Sequence, residues 1–128
     1  MDQQVQEERQ KIIDGTYPSR IIQGRQNKHI PGTQEFEQKR KQMQRISPGS
    51  EPAILEAEAQ ALVDKYKGTG QVNKQRNSLY PTEIIDTDNI VGKTWVKSLQ
   101  RYVNTRRIKI FYSSTGVHIV PVNNYIKR

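Results

Sequence analysis

The stretch RIKIFYSSTGVHIVP, residues 107–121, constrains the fold more than any other part of the chain. Two segments rich in β-branched and aromatic residues flank Ser113-Ser114-Thr115-Gly116. That pattern predicts an antiparallel hairpin closed by a type I turn, with glycine at the positive-φ position and a bulge. The C-terminal part of the protein must therefore be an antiparallel sheet. In the expected register Ser113 faces Val117 and Tyr112 faces His118. Tyr112, His118, Ile110 and Val120 would then share one face, with Phe111 and Ile119 on the other; a slip of one residue would exchange the faces.

The segments upstream read first as helices, then as strands. Residues 1–18 form a leading helix or linker, polar and broken by Gly15 and Pro18, ahead of a domain over residues 19–128. QEFEQKRKQMQR, residues 34–45, has helix-forming composition, with Phe36 and Met43 seven apart on one face. A further helix is expected from Ser50, with Glu51 and Pro52 in its first turn, Leu55, Ala59, Leu62 and Tyr66 at helical spacing, and Gly68 at its end. Its Leu55/Leu62 face should pack on the sheet, with Glu56 and Glu58 in solvent. TEIIDT (82–87) and NIVGKTWV (89–96) read as strands. KSLQRYVNT (97–105) fits either a helical turn or an irregular connection. The order predicts an α+β domain, N-terminal helices packed on a small antiparallel β-sheet.

Charge narrows the function. The 128 residues carry a formal net charge of +8, and residues 91–128 hold eight basic side chains and no acidic one. A one-signed patch of this kind concentrates a polyanion or docks an acidic protein; the alternative is a basic surface kept for solubility. Cysteine is absent from the sequence, which removes disulfides, thiolate metal sites and cysteine nucleophiles. No apolar run is long enough to span a bilayer. The polar, acidic start does not resemble a secretory signal. The chain is therefore expected to be cytosolic, or a piece of a longer protein delivered by other parts.

The two histidines, His29 and His118, bring proton-transfer chemistry. With an ordinary pKa of about 6.5, imidazole gives and takes protons at neutral pH. RNA carries its own nucleophile in the 2′-hydroxyl. Its metal-free cleavage needs a base at that hydroxyl, an acid at the departing 5′-oxygen, and donors or cations for the phosphorane charge. His29 and His118 suit base and acid, Lys28 the developing charge, and Thr33 and Ser113 hydroxyl donation. Arg106, Arg107 and Lys109 suit flanking phosphates. Each also has a purely structural alternative: hydrogen-bonded histidines, a solvated Lys28, turn residues at Thr33 and Ser113, and a core Tyr112. Two histidines without cysteine make no closed zinc site, and GTG at 68–70 lacks the G-K-[ST] of a phosphate loop. Trp95 suits either core packing or base stacking.

GRQNKHIPGT, SEPAILEAEAQALVDKYKGTGQ and FYSSTGVHIVP, in that order, resemble the polymorphic toxin type 50 domain over roughly residues 20–122. Such domains are C-terminal toxin modules of bacterial delivery proteins and also end some phage head proteins. The resemblance implies a fold like that of barnase, EndoU, the tRNA-cleaving colicins and RelE, and metal-independent RNA cleavage without a cofactor. It places Lys28, His29 and Thr33 in one motif block and Tyr112, Ser113 and His118 in the other, all as catalytic candidates. Arg25, Arg106, Arg107 and Lys109 are the expected substrate contacts. The implied substrate is tRNA, and the implied partner is an acidic cognate immunity protein. Secretion or delivery within a larger protein would bring the domain to the target-cell cytoplasm. His29 is expected to be the base, because Lys28 beside it disfavours its protonated form. A non-catalytic basic module that binds RNA or protein, or the C-terminal part of a phage head protein, is the alternative.

Overall fold

The 107–121 segment folds as a hairpin, and the remaining elements are arranged around it. The computed structural model describes residues 2–123, so Lys127 and Arg128 of the basic segment lie outside the described residues. Helices α1 (Gln3–Ile13), α2 (Gln23–Gln26), α3 (Gln34–Ile46) and α4 (Ala59–Tyr66) are joined by strands β1 (Ile54–Leu55), β2 (Gln71–Asn73), β3 (Thr82–Asp86), β4 (Gly92–Val96), β5 (Arg101–Thr105), β6 (Arg107–Tyr112) and β7 (Val117–Val122). A 3₁₀ turn, Asn27–His29, continues α2. The architecture is α+β. Its strands form two antiparallel sheets, one ordered β2-β3-β6-β7 and one β1-β4-β5. Arg106 alone separates β5 from β6, so one run of chain serves both sheets.

The hairpin register differs from the expected one by a residue. Tyr112 faces Val117, Phe111 faces His118 and Ile110 faces Ile119. The Ser113 hydroxyl donates to the Gly116 carbonyl and accepts from the Thr115 amide. A four-residue turn is thereby closed by a side chain where a bulged ladder was expected. Gly116, at φ +148°, is also held close to the 20–22 segment, where a Cβ would lie 2.4 Å from the Arg20 carbonyl. The consequence is an exchange of faces. Ile108, Ile110, Tyr112, Val117 and Ile119 are buried together with Ile12 and Val63 of the helices, while Lys109, Phe111, His118 and Val120 line up on the opposite face.

The outer edge of β7 is covered. Its Val117 N–H donates to the Arg20 carbonyl, and its Val117 carbonyl accepts from Ile22. Two residues on, the Gln26 amide donates to the Ile119 carbonyl at 2.9 Å and accepts the Ile119 N–H at 2.7 Å. Two residues further stands Pro121, which has no N–H to leave unpaired.

The helix expected from Ser50 starts later, at Ala59, with the Glu58 carboxylate capping the Ala61 N–H. Residues upstream are extended because tertiary partners outweigh helix propensity. Leu55 pairs with Gly92 in β1–β4, Arg40 binds Glu51, and the Pro52 carbonyl accepts from the Tyr102 hydroxyl. The end is as expected, with Gly68 at φ +81°. The segment 97–105 resolves into a turn and strand β5, and the strand expected from Asn89 begins at Gly92.

The GTG segment is a structural hub. Glu83, fully buried on β3, accepts hydrogen bonds from the Gly68 and Gly70 amides and from the Tyr112 hydroxyl. Arg9 of α1 donates to the carbonyls of the same two glycines. The leading helix is thus docked: Ile12 is in the core, and buried Glu8 accepts from Tyr17.

Candidate functional site

The 27–33 loop is built to hold His29 in place. The Thr33 side chain accepts the Phe36 N–H as N-cap of α3, and its hydroxyl reaches back to the Asn27 and Ile30 carbonyls at 2.7 and 2.8 Å. Gly32, at φ +90°, makes the bend between them. Thr33 therefore ties the 3₁₀ turn to α3, which is a positioning role; its hydroxyl is engaged by backbone. Gln26, immediately before that turn, ties it to β7 next to His118.

Together these ties bring His29 and His118 to one cavity of about 660 Å³, lined also by Arg25, Lys28, Lys39, Met43, Pro52, Ala53, Phe111 and Val120. Three of its lining residues are cationic and none is a carboxylate. Larger by a small margin is a recess beside Arg20, Glu56 and Gln60, but it contains neither histidine.

The two imidazoles are set up differently. His29 is buried, and its Nδ1 lies 2.8 Å from the Ala53 carbonyl. A carbonyl only accepts, so Nδ1 carries the hydrogen and Nε2 presents a lone pair. Burial, aided by Lys39 and Lys28, pushes the His29 pKa down; the bond to Ala53 opposes that. The non-helical path of residues 51–56 matters here, because it delivers the Ala53 carbonyl to the ring.

His118 stacks on Phe111, with ring centroids 4.8 Å apart and planes within 4°. Its Nδ1 is buried with no hydrogen-bond partner among the described residues. A buried N–H without an acceptor costs more than a bare lone pair, so the neutral ring keeps its hydrogen on Nε2. Burial, followed by the nearby charges of Arg25, His29 and Lys28, pushes the His118 pKa down to about 4. The pair is thus complementary when both rings are neutral: one Nε2 accepts and the other donates.

The remaining sequence-derived candidates divide. Arg25 and Lys28 line the cavity. Lys109 lies on the same sheet face as His118, its ammonium 5.1 Å from the Phe111 ring centroid. Arg106 is exposed. Arg107 is engaged by Asp86 through bonds of 2.7 and 3.0 Å, beside a different recess. The expectation that Tyr112 shares a sheet face with His118 is corrected by the register. Tyr112 is buried on the opposite face against Glu83, and Ser113 closes the turn. Trp95 is half-buried, donates to the Gly49 carbonyl and packs edge-on against Tyr102. Sequence reasoning missed Lys39 and Phe111. Lys39 and Met43 are one helical turn apart on α3, a spacing that carried the signal; Phe111 was assigned to the wrong face.

No curated protein and no solved structure matches the chain. The family model described as bacterial toxin 50 matches residues 21–121. That span begins at Ile21, which bridges to Val117 on the covered edge of β7, and ends at Pro121 on the same edge. It encloses the whole cavity, and the protein belongs to the bacterial toxin 50 family.

Proposed function

We propose that this toxin domain is an endoribonuclease that cleaves RNA by transesterification without a metal, with the His29–His118 cavity as its active site. The observation that carries this reading is the convergence of two complementary histidines and three cations in a recess lined by no carboxylate. His29 Nε2 takes the proton of the 2′-hydroxyl, whose oxygen attacks phosphorus. His118, protonated once the phosphate is bound, gives its Nε2 proton to the departing 5′-oxygen and returns to a neutral ring, so the products are a 2′,3′-cyclic phosphate and a 5′-hydroxyl. Arg25, Lys28 and Lys39 balance the phosphorane charge. The low pKa of His118 comes first from burial and then from the neighbouring charges of Arg25, His29 and Lys28. A scissile phosphate supplies the negative charge that restores its proton.

The toxin family, the basic surface and the analogy to tRNA-cleaving domains support tRNA as the substrate, an acidic immunity protein as the partner, and delivery within a larger protein to a target-cell cytoplasm. Incubating the purified chain with total RNA and a chelator tests the reading. Fragments ending in cyclic phosphate support it; intact RNA, or continued cutting after the 2′-hydroxyl at the cleaved position is replaced by hydrogen, overturns it. Salt-sensitive binding with no cleavage would identify a non-catalytic RNA-binding module.

A further inference from the structure

We infer that the His29–His118 cavity takes one unstacked nucleotide, its phosphate against Arg25, Lys28 and Lys39 and its base against the Phe111–His118 pair, so that the substrate is unpaired RNA and not duplex. The inference rests on the ribonuclease reading for the identity of its ligand and goes beyond it in naming the RNA form.

The cavity has two chemically distinct walls. One is cationic and comes from α2, the 3₁₀ turn and α3. The other is apolar and flat, made by Phe111, His118 and Val120 of the sheet, with Met43 and Pro52 beside them. A polyanion site that read only backbone would need the first wall alone. The second wall suits a π-face. Lys109 occupies one face of Phe111 and His118 lies parallel to the ring, so the imidazole face turned away from Phe111 is the surface offered to a base. The size agrees: about 660 Å³ lies within the roughly 300–1,000 Å³ of pockets that enclose a small molecule. A base paired within a duplex cannot enter such a recess, because its faces are stacked and its edges lie in the grooves. Recognition of RNA through splayed bases on aromatic side chains is the general solution for single-stranded targets.

The test uses the full chain and a labelled 2′-O-methyl oligonucleotide, which lacks the attacking hydroxyl, alone and annealed to its complement. The single strand should bind at least about tenfold more tightly than the duplex. His118→Ala, which removes the ring offered to the base, should weaken single-strand binding by about 5- to 150-fold, the range for loss of one stacked base, with a smaller effect on duplex binding; His118→Phe, which keeps a flat ring there, should restore it. On the unmodified protein, adding a nucleoside 3′-monophosphate should move the His118 and Phe111 ring-proton resonances upfield, and inorganic phosphate should not. Equal binding of both RNA forms, or equal upfield shifts with inorganic phosphate, overturns the inference even if RNA is cleaved. Selective single-strand binding by a chain that leaves RNA intact overturns the ribonuclease reading alone.

Discussion

Gln26 and Ile119 are joined by two hydrogen bonds, side-chain amide to backbone N–H and carbonyl, at 2.7 and 2.9 Å. This pair sets the spacing of the proposed site, since Gln26 stands three residues before His29 and Ile119 one residue after His118. Gln26→Ala leaves both backbone groups of a buried strand position without protein partners. It should cost about 2–4 kcal/mol of stability, read from denaturant midpoints. RNA cleavage should fall further than the folded fraction does.

Both histidines have folded pKa values below the ordinary one, so the unfolded chain binds protons first as pH falls. Their contribution to stability is complete above about pH 6.5 and is lost as pH drops toward about 4, where His118 titrates. Imidazole proton resonances followed against pH should show the His118 midpoint near 4 in the free protein and a higher one with phosphate bound. A free-protein midpoint near 6.5 would contradict the burial of this ring.

Replacing His118 by Ala removes a half-buried ring whose Nδ1 has no hydrogen-bond partner among the described residues, and so should change stability little. Cleavage should fall by roughly 10²–10⁴-fold, the usual worth of a general acid. His29→Ala should match that loss of cleavage and also lower the melting temperature, because the bond to Ala53 goes with it.

Tyr112→Phe discriminates between the two faces of the hairpin. It removes one of three donors to the buried Glu83 carboxylate and should cost about 1.5–3 kcal/mol, with kcat per folded molecule unchanged. A large drop in kcat at full folding would return Tyr112 to the catalytic group.

The hairpin and the α+β class were legible because alternation and turn chemistry are local. The single-residue register error was not avoidable from the same pattern, since what selects the register is the Ser113 side chain and the contact of Gly116 with Arg20, a distant residue. The late start of α4 has a similar origin. Leu55, Ala59 and Leu62 do recur at helical spacing, but Leu55 pairs with Gly92. His29, Lys28, Arg25 and His118 were readable as candidates from residue chemistry and motif resemblance. Phe111 and Lys39 needed the face and the helix packing to be known.

The covered edge of β7 has one more consequence. The short segment from Arg20 to His29 both blocks that strand from pairing with another chain and carries much of the cationic wall. Detachment of this segment would disarm the cavity and bare a sticky strand in a single event. Loss of activity and onset of aggregation should therefore share one midpoint.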